Sequence, residues 1–166
     1  MRKFVSAEEN DLYVNAMLKG NEVIEEALAK WDEDQKDVCA TFAVYKSIID
    51  RDREYGGLIV SVESGDIPAG ADNIEFFNGD KLLHLNRSKG SFGDKYVLVF
   101  TSRDRFRECN DTAGVVMFIR EVFSLLGRME DADGIVMNLG REEILFDKLT
   151  MHHISRMIEL SDEKQE

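Results

Sequence analysis

Five side chains in this chain could bind a transition metal through sulfur or imidazole nitrogen: Cys39, Cys109, His84, His152 and His153. A zinc site needs about four such ligands, usually with a close local pair such as Cys-x-x-Cys. No pair here has that spacing. His152 and His153 are adjacent, so on a helix they diverge by about 100°. That places His153 near the apolar face and His152 in water. We expect neither a metal nor a cofactor.

Asp50-x-Asp52-x-Glu54 has the opening of a calcium loop, but such a loop needs glycine sixth and glutamate twelfth. Tyr55 and Ser61 stand there instead. Asp131 and Asp133 have Glu142 in twelfth place, but Val136 stands sixth. Both segments read as acidic turns. No Gly-x-x-x-x-Gly-Lys-Ser/Thr phosphate loop occurs. Gly90-Ser91-Phe92-Gly93 joins strands rather than opening a helix. The Gly-x-Ser-x-Gly elbow of serine hydrolases is approached by Asn86–Gly90 and Lys89–Gly93, each lacking the first glycine.

Nucleophilic thiol chemistry is the remaining option. Cys109-Asn-Asp-Thr-Ala-Gly114 precedes an expected helix, and a thiol at a helix N-terminus is acidified by the dipole. The outline resembles thiol-phosphatase and rhodanese loops, but Asp111 enters the loop and no arginine follows before Arg120. Asp111 reads better as a helix cap. Cys39 lies in a run that reads as buried, and an inert thiol is expected there.

The elements that would position such groups follow from periodicity. Over 166 residues, 21 cations oppose 33 acids for a net charge of −12. That balance repels nucleic-acid phosphates and anionic membranes. No apolar stretch reaches the roughly 18 residues of a membrane span, and no signal peptide is apparent. A cytoplasmic protein with reduced thiols is expected.

Ser6 with Glu9 forms a capping box opening a first helix. Gly20 ends it, and Asn21 caps a second helix bearing Ile24, Ala27, Leu28 and Trp31 on one face. Val38–Tyr45, VCATFAVY, reads as a strand covered on both faces, where Phe42→Ala should cost about 3–5 kcal/mol. Asp50–Gly57 reads as a turn and Gly57–Val62 as a strand. Ser64–Ala71 reads as a loop, Asn78-Gly79 as a hairpin turn, Gly90–Gly93 as another turn and Tyr96–Phe100 as a strand. These strands suggest an antiparallel meander. Val115–Leu126 has helical period. Gly134–Met137 and Glu143–Phe146 pair around a turn at Asn138–Arg141. Asp147 caps a final helix bearing Leu149, Met151, Ile154, Met157 and Ile158.

The fold class is therefore α+β: a mostly antiparallel sheet, meander plus C-terminal hairpin, packed by segregated helices. One domain spans residues 1–166, with an N-terminal helical arm over 1–36, an α+β core over 38–158 and a charged tail over 161–166 that frays.

Two segments together resemble a known family. They are Tyr96-Val-Leu-Val-Phe-Thr-Ser-Arg-Asp-Arg-Phe106 and Asp133-Gly-Ile-Val-Met-Asn-Leu-Gly-Arg-Glu-Glu-Ile-Leu-Phe146. Their order and spacing, across Val38–Ile158, resemble the N-terminal domain family of SseB, the enhanced-serine-sensitivity protein. Leu139 stands where that family usually has proline. The resemblance implies an α+β domain of cytoplasmic bacterial proteins with an undefined biochemical role. It marks Phe100, Thr101, Ser102, Gly134 and Asn138 as motif positions. Each has a structural reading: Phe100 continues a buried face, Thr101 and Ser102 cap or turn the chain, and Asn138 tolerates left-handed φ.

Three functions are carried forward: a non-enzymatic binding or regulatory module, an acidic immunity or inhibitor protein docking on a basic partner, and a thiol enzyme using Cys109. Glu22–Asp37 holds seven acids and two lysines. A basic protein partner is therefore expected at Trp31, Asp32, Glu33, Asp34 and Asp37. The sheet and three core helices use up most large apolar residues, so no wide apolar surface patch is expected.

Overall fold

The computed structural model describes residues 6–63, 73–77, 84–87, 95–109 and 113–165. The expected loop at Ser64–Ala71, the turns at Asn78-Gly79 and Gly90–Gly93, and the Asp111 cap lie outside them.

Three helices come first: α1 (Ala7–Leu18), α2 (Glu22–Glu33) and α3 (Val38–Arg53). Ser6 caps α1 through the amide of Glu9, as its sequence pattern predicts. Then follow β1 (Gly57–Ser61), β2 (Ile74–Phe76), β3 (Tyr96–Phe100), α4 (Arg103–Glu108) and β4 (Gly114–Phe118). The chain closes with α5 (Ile119–Leu125), a 3-10 turn (Leu126–Arg128), β5 (Gly134–Met137), β6 (Ile144–Asp147) and α6 (Lys148–Gln165).

The strands form one six-stranded sheet in the order β2-β4-β1-β3-β5-β6. The class is α+β, and the sheet is mixed. β1 pairs antiparallel with β3 and β4, and β5 with β6, whereas β2–β4 and β3–β5 are parallel. The meander is thus corrected, while the final hairpin stands. Alternate residues feed two cores. Leu58, Val60, Val97, Val99, Ile135 and Phe146 meet α2, α3, α5 and α6 on one face. Ile59, Leu98, Phe100, Val116 and Val136 meet α1 and α4 on the other. With both faces covered, the central strands are apolar throughout.

Two expected elements change type. Val38–Tyr45 is the first half of α3, not a strand. Asp37 starts it, accepting from the amides of Cys39 and Ala40 at 2.9 and 3.3 Å. Val44 and Ile48 point inward, while Val38 is 63% exposed and Phe42 55%. Apolar residues on both sides of this helix hide its period. The same helix extends to Arg53, replacing most of the turn expected at Asp50–Gly57. Conversely, Val115–Phe118 belongs to β4 and only Ile119 onward is helical. α6 runs past the expected fraying point, with Ser161 buried and accepting from Arg53 Nε. Of the apolar residues named on this helix, Met151, Ile154 and Ile158 are buried and Leu149 is 78% exposed.

Candidate functional site

β3 and β5 run parallel, and their carboxyl ends deliver Thr101 and Asn138 side by side. Crevices at the carboxyl ends of parallel strands are where open sheets commonly place ligands. Four motif residues assemble there. Phe100 is buried and meets the Phe106 ring edge-on at 5.6 Å. Thr101 N donates to Asn138 Oδ1 at 3.0 Å, and Asn138 Nδ2 donates to Thr101 Oγ1 at 3.0 Å. Ser102 caps α4 by accepting from the amide of Arg105 at 3.2 Å. Asn138 holds φ at +56°, the left-handed conformation its turn predicts. Gly134 sits at the far end of β5, away from this group.

The surrounding polar residues were not singled out by sequence reasoning. Thr101 Oγ1 donates to Glu25 Oε1 of α2 at 2.7 Å. Arg105 of α4 lies 3.8 Å from Glu25 and 3.4 Å from Glu142. Asn21, expected as a side-chain cap for α2, makes no such bond. Its Nδ2 donates to the carbonyls of Gly57 and Thr101 at 2.8 and 2.9 Å. Its Oδ1 accepts from Arg51 Nε at 2.9 Å. Arg51 and Asn21 are both buried, so their mutual bonds offset the cost of desolvation. No local signal marked them, because Arg105 also pairs with Glu108 within α4 as any charged surface helix would.

Chemically this cluster is closed. The Thr101 hydroxyl donates a hydrogen bond to Glu25 and accepts one from Asn138, and Thr101 is fully buried. The bonds tie β3, β5, α2 and α4 together.

The acidic segment is a different surface. Trp31 is half-buried against the larger core. Asp32, Glu33, Asp34, Gln35, Lys36 and Asp37 are exposed. Asp32 accepts from Gln35, Asp34 from the amide of Lys36, and Asp37 caps α3. The α2–α3 hairpin thus holds the corner in a fixed shape.

Other candidates relocate. Cys109 terminates α4 rather than opening a helix, and β4 follows, so the dipole argument for its thiol does not apply. Cys39 is exposed near the start of α3, not buried in a strand. His152 and His153 are both exposed. Asp52 is buried and paired with Arg120 at 2.9 Å. Among the described residues, no group of three or more His, Cys, Asp or Glu is placed to hold a metal ion. No described helix is long and apolar enough to cross a membrane.

Perturbed carboxyls lie outside the cluster. Burial raises Glu121 above the ordinary glutamate range, opposed by the amide of Phe118. Hydrogen bonds from the Thr150 amide and side chain hold Asp147 below the aspartate range. Burial, then the Asp147 charge, raises the Tyr45 phenol.

Some apolar surface remains. Phe42, Ile49, Met157 and Leu160 line a groove between α3 and α6, with Phe42 and Leu160 55% and 41% exposed. A second pocket lies between α1, the end of α3, β2 and β4, lined by Tyr13, Tyr55, Phe76 and Phe118.

No protein-family model matches the chain, and neither does any curated protein or solved structure.

Proposed function

We propose that this chain is a non-enzymatic binding or regulatory module of the SseB N-terminal type, working in the bacterial cytoplasm and docking on a basic protein. One observation carries the reading: the Asp32–Asp37 corner presents four acids among six consecutive exposed residues between α2 and α3, beside half-buried Trp31. Recognition commonly sits on such corners of a rigid scaffold, and an acidic surface steers a basic partner toward itself. The closed Thr101–Asn138–Glu25 cluster supports the same reading, because its bonding capacity serves the fold. The family assignment draws support from motif residues Thr101 and Asn138 contacting each other. An immunity or inhibitor protein is the same geometry with a basic toxin or enzyme as partner.

The test is capture from a lysate of the source cell, comparing the wild-type chain with Asp32→Lys/Asp34→Lys. A basic protein should bind the wild type stoichiometrically, dissociate as salt approaches 0.5 M, where the Debye length is about 4 Å, and fail to bind the variant. Equal retention by both chains, or salt-independent retention, removes this corner from the function.

A further inference from the structure

The second pocket gathers four aromatic side chains, of which Phe76 and Phe118 also pack against the smaller core. Phe76 meets Phe118 edge-on at 6.0 Å, and Tyr13 lies 6.4 Å from Phe76. Met17 and Glu54 complete the wall with Tyr55. Tyr55 is the informative residue. Gly56 N donates to Arg51 O at 2.9 Å and Tyr55 N to Asp52 O at 3.0 Å, a Schellman closure of α3. That closure puts Tyr55 at φ +60°, a position favouring glycine. Its side chain is a large ring left 74% exposed. Backbone strain and an uncovered aromatic thus coincide at the mouth of a pocket with three further rings.

We infer that this pocket binds an organic cation, an alkylammonium or guanidinium head. Ring faces carry negative quadrupole potential and attract such heads, most strongly where several rings converge. Glu54 stands at the rim as an acceptor, its charge shared with the Arg51 guanidinium. Its Oε2 accepts from Arg51 Nη1 at 2.8 Å, and the side chain stays 70% exposed, leaving its second oxygen open to a ligand. The net charge of −12 raises the local concentration of any cation. This site lies at the opposite end of α3 from the acidic corner and stands independently of the partner reading there.

Choline and its neutral isostere 3,3-dimethyl-1-butanol are the probes, titrated into the intact chain by calorimetry and by NMR of the tyrosine rings. Choline should bind about tenfold more tightly than the isostere. Tyr55→Gly should weaken choline binding about fivefold or more while raising Tm by about 2–4 °C, since glycine relieves the left-handed strain. A structural residue would not separate those readouts. Tyr13→Leu, which keeps apolar volume and removes a ring, should also weaken choline binding. Equal affinity for the isostere makes this a plain apolar pocket and overturns the inference. So does unchanged choline affinity in both variants, or no binding by about 50 mM. Nα-acetyl-lysine and Nα-acetyl-arginine amides distinguish the source: tighter binding than choline assigns the site to a side chain of a protein, weaker binding to a free alkylammonium compound.

Discussion

Asn138 and Thr101 lie 37 positions apart and exchange two hydrogen bonds, each 3.0 Å long, across the ends of parallel strands β5 and β3. The exchange depends on the backbone of Asn138, whose φ of +56° aims its amide at the neighbouring strand rather than into solvent. Because Thr101 also accepts Asn21 at its carbonyl and donates to Glu25, one side-chain amide fixes where the start of α2 meets the sheet.

Asn138→Ala should therefore cost about 2–4 kcal/mol. Leaving the buried Thr101 amide without a partner contributes about 1–3 kcal/mol, and left-handed φ on alanine adds about 1. Asn138→Gly should recover only the second part. Thermal or urea denaturation measures both, and a loss below about 0.5 kcal/mol for alanine would mean the pair does not hold the strand ends.

Strands buried on both faces were legible from sequence as short continuous apolar runs in β1, β3 and β5, and β6 showed as an alternation of buried and exposed residues. α3 was misread for a definable reason: Val38, Cys39 and Phe42 put apolar groups on its solvent side, erasing the polar stripe that reveals a helix. The Asp37 cap was present, hidden inside an acidic run. β4 was misread the other way, because a strand buried on both faces continues into the apolar α5. Asn138 was legible through its turn. Glu25, Arg105, Asn21 and Arg51 were not, since the bonds that join them to one another and to the strand ends span from 30 to 80 positions and no local pattern encodes those.

The correction at α3 changes an energetic expectation. Phe42→Ala should cost less than about 1 kcal/mol, because the ring is already 55% exposed and its removal opens no internal cavity. Phe146→Ala, by contrast, empties a fully buried site against the rings of Phe123 and Tyr45 and should cost about 3–5 kcal/mol. Paired chemical denaturation curves make the comparison. A Phe42→Ala loss matching that of Phe146→Ala would put α3 in the wrong orientation.

Gly134 and Gly140 offer a second contrast. A Cβ at Gly134 would lie 2.0 Å from the Phe146 carbonyl oxygen, and φ there is +152°. Backbone of the paired strand cannot yield without breaking the β5–β6 register, so Gly134→Ala should lose more than about 3 kcal/mol or fail to fold. Gly140 has φ +94° with nothing within 4 Å, so its alanine variant should cost only about 1 kcal/mol of conformational strain. Similar losses at both positions would rule out the close approach at β6.

Acid stability should reflect two carboxyls of opposite sign. Asp147 has its folded pKa lowered, chiefly by the Thr150 amide, so its contribution is complete above the unfolded value of about 3.9 and is lost as pH falls through the folded value. The Tm deficit of Asp147→Ala should be full at pH 7 and shrink toward pH 2. Glu121 has its folded pKa raised by burial, so the folded state holds its proton more tightly than the unfolded chain. Its contribution is favourable in acid and declines as pH rises from the unfolded value of about 4.3 through the higher folded value. Glu121→Gln keeps an oxygen to accept from the Phe118 amide and removes the buried charge. It should raise Tm at pH 7 and have progressively less effect below pH 4. A Glu121→Gln chain less stable than wild type at pH 7 would show that the carboxylate's favourable interaction with the α5 N-terminus outweighs its burial.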